Sequence, residues 1–409
     1  MISKLKFIFL GHLLMISVFF LAGNVTGNKV LPPLSSINKD STIVDSLQYY
    51  LSKDSSVITK YFALINELKS KEVELIKLQN NLKNIENEII AINNQTVFVM
   101  QKYKIDTSAN SESKYINKLK DLFDKSIKAQ SEKNNTQDLI KQANKNKEKL
   151  KQNLSDTEKK YNNSIKLFKH FASGITGSKS LVFLGIRYNV FVADLDKNII
   201  QLHYKRPNGA PFNSIGEVHK YLLQSKQQAL MITNAGMFTP SSEPAGLYIE
   251  STGKILYPLD TGKSTKPNPD NFYLLPNGVF YIDSDNKAHI DTTEFISKLL
   301  KSGQVNNMKI ATQSGPMLVI NNRIHNSFSW SSNNRKIRSG VGIINDKRVV
   351  FIISKEETVF YEVSVLFRDI FNCSNALFLD GAISKMYLSD IDSTTMEGFF
   401  GPMLSVTKK

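Results

Sequence analysis

The stretch Ala172-Ser173-Gly174-Ile175-Thr176-Gly177 separates two different kinds of sequence in this 409-residue chain. Its small residues and two glycines are typical of a hinge between structural elements. Before it, apolar residues recur at helical spacing, and after it they come in short runs typical of strands. The sequence therefore predicts a helical region followed by an α+β domain over residues 172–409.

Upstream of the hinge, two long helical patterns flank a polar break at residues 107–111. The first pattern repeats every seven residues, and the second, over about residues 114–171, is weaker. The core positions of the first are Tyr61, Leu64, Leu68, Leu75, Leu78, Leu82, Ile85, Ile89 and Ile92. Heptads of this length predict a coiled coil, and the break favours an antiparallel hairpin over residues 60–171, with an intermolecular coil as the alternative. We expect it to be a spacer, or an element for self-association or for docking to an envelope partner.

The first 23 residues are typical of an export signal. They combine Lys4 and Lys6 with an apolar run from Phe7 to Leu21 that is short for a transmembrane helix. An uncleaved anchor is the alternative. Residues 24–59 are rich in Ser, Asn, Pro and Lys and predict a linker with one short helix at most. We therefore expect a periplasmic or extracellular protein.

The formal net charge of +15 is unevenly distributed along the chain. The stretch 101–170 contains no arginine and carries about half of the excess through its lysines. These lysines are not interleaved with aromatic residues, so a solvated helical face is favoured over a nucleic-acid surface. The single cysteine, Cys373, excludes an intrachain disulfide, and its apolar surroundings predict a buried residue rather than a nucleophile.

Residues 172–409 contain many strand-like runs and few helical patterns. The helical patterns cover residues 215–227, 293–300 and 363–371. Because strands and helices do not alternate regularly, the sequence predicts an α+β domain with mixed sheets rather than a βαβ fold.

Four segments of this domain place a polar residue beside a glycine at the end of an apolar run, where binding sites are often built. They are Thr233–Phe238, Ala311–Met317, Arg335–Gly342 and Leu377–Ser384. Asp380 precedes Gly381 and is either a carboxylate at a strand end or part of an Asp-Gly turn. Arg338 presents a planar fork suited to two phosphate oxygens, with a basic surface turn as the alternative. Glu356 follows another strand and is either an acid or base or, as we favour, simply solvated.

The motifs of several other enzyme classes are absent from the sequence. It contains no His-x-x-x-His pair, no Gly-x-Ser-x-Gly segment and no glycine-rich phosphate loop. These absences argue against a zinc site, an α/β-hydrolase and a nucleotide enzyme. The sequence requires no cofactor and leaves the use of a divalent cation open.

Taken in order, the segments resemble the phosphodiester glycosidase family, and most closely its secreted bacterial branch. The matching segments are Asn234–Phe238, Pro244–Leu247, Asn271-Phe272, Pro276–Phe280, Thr312–Pro316, Arg338–Gly342 and Leu379–Ser384. The resemblance covers about residues 185–405. The sequence departs from the family pattern at Ala235, Ala382 and Lys385.

The resemblance implies hydrolysis of a sugar C1–O–phosphate bond in an envelope or extracellular glycan. Arg338 would stabilise negative charge, and Asp380, or as second choice Glu356, would activate water or attack the anomeric carbon. The candidate substrate-binding residues are Asn234, Gly236, Gln313, Ser314, Arg335, Lys355 and Ser384. Two alternatives are a non-catalytic module that binds anionic polysaccharide and an envelope scaffold that works through its coiled coil.

Overall fold

Two long antiparallel helices precede a domain of three β-sheets and three short helices. The computed structural model describes residues 41–105, 109–250, 253–266, 269–303, 307–379, 384–391 and 396–409. The helices are α1 (Ser41–Ile105), α2 (Ala109–Ser173), α3 (Ile215–Gln224), α4 (Thr293–Lys301) and α5 (Phe360–Val365). A π-helical turn, Leu366–Ile370, continues α5. The α+β class and the preceding hairpin are therefore confirmed.

The two long helices pack against each other over most of their length. Near one end the rings of Tyr61 and Tyr161 stack with centroids 4.3 Å apart. Further along, Ile92 packs with Leu122 and Ala129 in a small buried cluster. Ion pairs link the helices at Glu72–Lys147 and Glu86–Lys133. The first helix begins at Ser41, inside the stretch that the sequence predicts as a linker. Residues 1–23, the expected export signal, lie outside the described part of the chain.

The strands form sheets of seven, four and five members. The strands are β1 (Gly177–Phe183), β2 (Ile186–Asp194), β3 (Asn198–His203), β4 (Ala229–Asn234), β5 (Tyr248–Ile249), β6 (Ile255–Tyr257), β7 (Gly278–Asp283), β8 (Ala288–Thr292), β9 (Met308–Ser314), β10 (Met317–Ile320), β11 (Arg323–Ile324), β12 (Ser339–Asn345), β13 (Arg348–Ser354), β14 (Asn375–Leu379), β15 (Met386–Leu388) and β16 (Met403–Lys408). Their orders are β1-β2-β13-β12-β14-β10-β11, β15-β4-β16-β3 and β6-β5-β9-β7-β8.

The pairs that the described strands form are antiparallel in all three sheets, whereas the sequence predicted mixed sheets. Parallel pairs need long crossovers, usually helical, and the α-helices in the described part of the domain are three short ones. The main core lies among the three sheets, with Phe191, Met231, Phe280, Val341 and Leu404 among its buried side chains.

The outer face of the seven-stranded sheet is covered by α5 and the π-helical turn. Phe367 from that turn lies directly over Gly342 of β12. A Cβ atom at Gly342 would come within 2.5 Å of the Phe367 ring and 2.7 Å of the Cys373 sulfur. The glycine therefore permits the helix to approach the sheet. Cys373 is buried, as the sequence predicted, and burial raises the pKa of its thiol well above the ordinary value.

Helices α3 and α4 each cover one of the smaller sheets. Ile215, Val218 and Leu222 of α3 pack on the four-stranded sheet, and Ile296 of α4 packs on the five-stranded sheet. Each helix begins after a hydroxyl side chain that accepts a hydrogen bond from its first turn, Ser214 for α3 and Thr292 for α4. These N-caps fix where both helices start.

Candidate active site

The ends of strands from all three sheets meet around Asn234. This residue ends β4 and is fully buried. Its side-chain nitrogen lies 3.4 Å from the hydroxyl oxygen of Ser339, at the start of β12, to which it donates. Its side-chain oxygen accepts from the backbone nitrogen of Lys385 at 3.2 Å. The first, third and fourth of the four sequence segments are therefore brought together.

Ser339 is the centre of this polar group, although the sequence did not single it out. Its hydroxyl donates to the carbonyl oxygen of Leu379 at 3.0 Å. Its oxygen also lies 2.9 Å from the hydroxyl oxygen of Ser384. Because the one proton of Ser339 goes to Leu379, Ser384 is the donor in that second bond. The three side chains of Asn234, Ser339 and Ser384 form a hydrogen-bonded group at the strand ends, hereafter the amide–hydroxyl group.

The segment Ala311–Met317 lies next to this group because its backbone approaches Gly236 closely. Its N–H donates to the hydroxyl of Thr312 on β9 at 3.0 Å. A Cβ atom here would lie 2.1 Å from the carbonyl oxygen of Gln313. No side chain fits in that space, so glycine is needed for packing between the two segments.

The two polar residues at the end of β9 lie in different environments. The Gln313 side-chain oxygen accepts from the backbone N–H groups of Leu247 and Asp260, each at 2.9 Å. Its nitrogen donates to the carbonyl of Asp260 at 2.7 Å. The Gln313 amide therefore bonds to backbone groups of the protein and connects two segments, distant in sequence, to β9. The Ser314 hydroxyl is buried and has no hydrogen-bond partner among the described residues.

Arg338 has the most unusual environment of the candidates, since it is a cation only 2 % exposed. Its guanidinium lies over the ring of Phe360, 3.9 Å from the centroid, and 5.5 Å from that of Phe378. One terminal nitrogen donates to both the carbonyl and the side-chain oxygen of Asn334, at 3.0 and 3.2 Å. The Nε atom is buried without a hydrogen-bond partner in the described part of the chain. Burial lowers the pKa of Arg338 to about 10, so it remains a cation at neutral pH.

No ion pair among the described residues involves Arg338. Glu357 interacts with Arg338 electrostatically and opposes the lowering of its pKa, but it lies beyond ion-pair distance. A buried cation without a directly paired carboxylate is costly unless an anion can reach it. A cavity of about 490 Å³ has Asn334 and Phe360 in its wall, both of which contact the guanidinium, whereas Arg338 itself lies behind them and does not line the cavity. Arg338 and Ser339 are consecutive along an extended backbone, so their side chains lie on opposite faces of the sheet at the same strand end. The amide–hydroxyl group occupies one face, and the guanidinium the other.

Arg335 is already paired with a carboxylate of the protein itself. Its guanidinium forms two hydrogen bonds with the Glu362 carboxylate, at 3.0 and 3.3 Å, and a third with the carbonyl of Glu357. Glu362, whose side chain is 10 % exposed, also accepts from Thr358 at the start of α5. Arg335 therefore fixes the loop before β12 to the start of α5.

Glu356 and Lys355 lie where β13 ends, at the surface. Both carboxylate oxygens of Glu356 accept from Arg187, from its backbone nitrogen at 2.7 Å and from its Nε at 2.6 Å. Slight burial would raise the pKa of Glu356, but the hydrogen bonds from Arg187 outweigh it and the pKa is lowered. A carboxylate held as an anion in an exposed ion pair is poorly suited to act as a general acid. Lys355 is exposed beside it.

Asp380, the first choice for the catalytic carboxylate, lies outside the described residues. The described residues that flank positions 380–383 are Leu379 and Ser384, and both contact Ser339. The sequence also missed Asn334, Thr312 and Phe360, which position other groups of the site. Asn334 lies just before the basic cluster, and Thr312 lies inside the segment Ala311–Met317, so the only signal for either residue was its position next to a motif.

Within the described ranges, no group of three His, Cys, Asp or Glu residues could hold a metal ion.

Two comparisons with known proteins agree with this arrangement. A family model described as phosphodiester glycosidase matches residues 227–398, which contain all four segments. The uncharacterized protein YigE of Escherichia coli (strain K12) is 33% identical over 217 residues, covering 51% of this chain and 78% of the relative. The chain therefore belongs to the phosphodiester glycosidase family, as the resemblance predicted. The general activity of that family is phosphodiester glycoside hydrolysis. The helical hairpin lies outside the matched residues.

Proposed function

We propose that this protein hydrolyses the sugar C1–O–phosphate bond of a glycosyl phosphodiester in an envelope or extracellular glycan. The observation that carries the proposal is Arg338, a buried cation with an unpartnered Nε beside a cavity. The phosphate that leaves in this reaction already stabilises negative charge, so the site needs an anion-binding group more than a strong general acid.

Arg338 supplies that anion-binding group. Its fork of N–H donors matches two phosphate oxygens, and the surrounding rings of Phe360 and Phe378 exclude water and strengthen the attraction. Asn334 holds one end of the fork, which fixes its direction without neutralising its charge. Arg335 and Glu356 take no part in this step, because each is already paired with an opposite charge.

The amide–hydroxyl group supports the sugar side of the same bond. Asn234 and Ser339 are buried and bonded to protein groups, so they position Ser384, which is half-buried and whose hydroxyl is of the kind that orients sugar hydroxyls. Asp380 is the carboxylate proposed to activate water or to attack the anomeric carbon. The substrate then spans the strand ends, with its phosphate towards Arg338.

The test is release of free sugar from a panel of sugar-1-phosphodiesters, including one of N-acetylglucosamine with a chromogenic group on the phosphate. The full chain is compared with Asp380→Asn and Arg338→Lys, and with Lys298→Met, on the exposed face of α4, as a surface control. We expect the first two variants to lose at least about 100-fold in kcat/KM, as removal of one charge-stabilising group typically costs that much. Lys298→Met should retain activity.

Two outcomes would contradict the proposal. Full activity in Asp380→Asn and Arg338→Lys would show that these residues do not carry the reaction. A folded protein that binds anionic polysaccharide but hydrolyses no member of the panel would favour the non-catalytic binding module. Binding unchanged in Asp380→Asn would support that second conclusion.

We also propose that the protein is exported. The support is the order of charged, apolar and small residues in residues 1–23. No helix among the described residues is apolar enough over sufficient length to cross a membrane. Cell fractionation with N-terminal sequencing tests the proposal, and we expect a mature protein outside the inner membrane that begins after about residue 23. A cytoplasmic protein that retains Met1 would contradict it.

A further inference from the structure

The loop between β11 and β12, residues 325–338, forms much of the wall of the Arg338 cavity. Ser329, Ser331 and Asn334 line that cavity, and Asn334 also accepts from the guanidinium. Among residues 329–334 the loop's hydrogen bonds join residues only two or three apart. These local bonds give the cavity-lining part of the loop its shape, and Arg335 attaches the end of the loop to Glu362 of α5.

Trp330 attaches the same loop to the helical hairpin, in addition to the contacts that Arg335 and Phe328 make with α5. Its ring stacks on Phe62 of α1, with centroids 5.0 Å apart and an interplanar angle of 20°. Both rings also meet Tyr361 of α5 edge to face, at 5.2 Å for Phe62 and 5.9 Å for Trp330. Phe62 is 2 % exposed, so the hairpin and the domain together enclose it.

The end of the hairpin that presents Phe62 is itself fixed to the domain by other contacts. We define the hairpin base as Tyr61, Phe62, Tyr161 and Phe168. The Tyr161 hydroxyl donates to the Asp369 carboxylate at 2.5 Å, and Asp369 is also paired with Arg368. Phe168 packs edge to face on Phe183 of β1. Phe62 is therefore held at a defined position relative to the seven-stranded sheet.

Two short routes connect Phe62 with the guanidinium of Arg338. One runs through Trp330 and the loop to Asn334, which accepts from Arg338. The other runs through Tyr361 to its neighbour Phe360, whose ring lies 3.9 Å from the guanidinium carbon. The ring contacts and the hydrogen bond on these routes are joined by the chain itself, from Trp330 to Asn334 and from Tyr361 to Phe360, so displacement of Phe62 is transmitted to the cavity wall.

We propose that Phe62, alone among the residues of the hairpin base, belongs with Trp330 to the anion-binding site, and that these two are positioning residues for Arg338. The inference rests on the proposed function, because it assumes that Arg338 binds the phosphate of the substrate. It gives the hairpin a role beyond that of a spacer. The hairpin closes the loop over the cavity and sets the direction of the fork.

The test uses the full chain with inorganic phosphate as the probe and calorimetric titration as the measurement. Trp330 is the only tryptophan, so acrylamide quenching of the protein's tryptophan fluorescence reports the order of this loop alone. Phe62→Ala removes the stack, whereas Phe62→Tyr retains it. Phe168→Ala is the matched control, since it truncates an equally buried ring of the hairpin base that contacts Phe183 instead.

We expect Phe62→Ala to increase acrylamide quenching and to weaken phosphate binding about tenfold, because a small displacement of a positioning group far from the chemistry can cost up to ~100-fold. Phe62→Tyr and Phe168→Ala should bind phosphate as the unmodified protein does. Unchanged binding in Phe62→Ala, or equal losses in Phe62→Ala and Phe168→Ala, would overturn the positioning role and leave the proposed function intact. An unmodified protein that binds no phosphate would overturn the anion site itself, and the inference with it.

Discussion

Gln313 and Arg338 are both long polar side chains buried at strand ends, but they differ in what their polar atoms reach. The Gln313 amide binds backbone groups of Leu247 and Asp260, which lie 66 and 53 residues away in sequence. The Arg338 Nε binds nothing within the described part of the chain. The sequence alone could select both residues from their motifs. It could not separate a structural role from a binding role, because the partners that decide it are remote in sequence.

Gln313→Met should lower the free energy of unfolding by about 3 kcal/mol or more. Methionine has a similar size, but it leaves the buried N–H of Leu247 and the half-buried N–H and carbonyl of Asp260 without a partner, and each buried group left so typically costs about 1–3 kcal/mol. Ser314→Ala is the control, since its hydroxyl has no partner to lose. Urea unfolding of both variants measures the difference. Equal stabilities of the two would contradict the structural role of Gln313.

The two arginine–glutamate pairs near the site should differ in their contributions to stability. Arg335→Met leaves the nearly buried carboxylate of Glu362 without its main partner, and we expect a loss of about 2–4 kcal/mol. Arg187→Met breaks the exposed pair with Glu356, and such pairs contribute about 1 kcal/mol or less. Thermal unfolding of both variants tests this order. A larger effect for Arg187→Met would reverse the interpretation of the two pairs.

At the scale of elements, the sequence predicts long and capped elements well and short ones poorly. Helices α3 and α4 begin at Ile215 and Thr293, where the sequence predicts them, because a hydroxyl cap precedes each apolar pattern. Strands β5, β11 and β15 have only two or three residues, which is too short for any alternation to show. The convergence of the three sheets at Asn234 depends on pairings across the whole domain, and no local pattern encodes it.

The pairing of β3 with β16 should give the domain a pH-dependent stability. His203 of β3 is buried against the Ser405 hydroxyl of β16, and burial lowers the pKa of His203 to about 4. Between about pH 6.5 and 4 the unfolded chain therefore binds a proton that the native protein does not, so the free energy of unfolding falls as the pH falls. The cumulative loss from this group is at most ~3 kcal/mol, since each pKa unit corresponds to ~1.4 kcal/mol.

Urea unfolding of the full chain at several values between pH 4 and 7 measures this dependence. His203→Gln, which keeps a hydrogen-bonding group but no titrating ring, is the control and should have a smaller slope below pH 6.5. His325 contributes a slope of the same sign, because burial also lowers its pKa. An identical pH dependence in His203→Gln would contradict the assignment.

The hairpin packs against the domain through contacts that the sequence does not predict. The heptads predict the hairpin, since its two helices carry complementary apolar seams. They do not predict its docking, because Tyr161 and Phe168 occupy ordinary core positions of the pattern, and Phe62, which lies outside the seam, does not by itself indicate a partner. Their partners Trp330, Asp369 and Phe183 lie in three separate parts of the domain. The hinge at residues 172–177 is therefore followed by close packing rather than by a free linker.

Removal of the hairpin should destabilise the domain. We expect a fragment of residues 172–409 to have a free energy of unfolding lower by about 3 kcal/mol or more, because loss of a buried aromatic ring alone typically costs that much. The control replaces residues 86–133 with a short glycine loop, which shortens the hairpin but retains its base. Urea unfolding should give the shortened protein nearly full stability. A fragment as stable as the full chain would contradict the docking.

The proposed reaction breaks the bond between C1 of the sugar and oxygen, rather than the bond between phosphorus and oxygen. Hydrolysis of a sugar-1-phosphodiester in ¹⁸O-labelled water, followed by mass spectrometry of both products, tests it directly. We predict that the label enters the free sugar, at C1, and is absent from the phosphate monoester, since water or a carboxylate attacks the anomeric carbon. Label in the phosphate would show attack at phosphorus and would contradict the account.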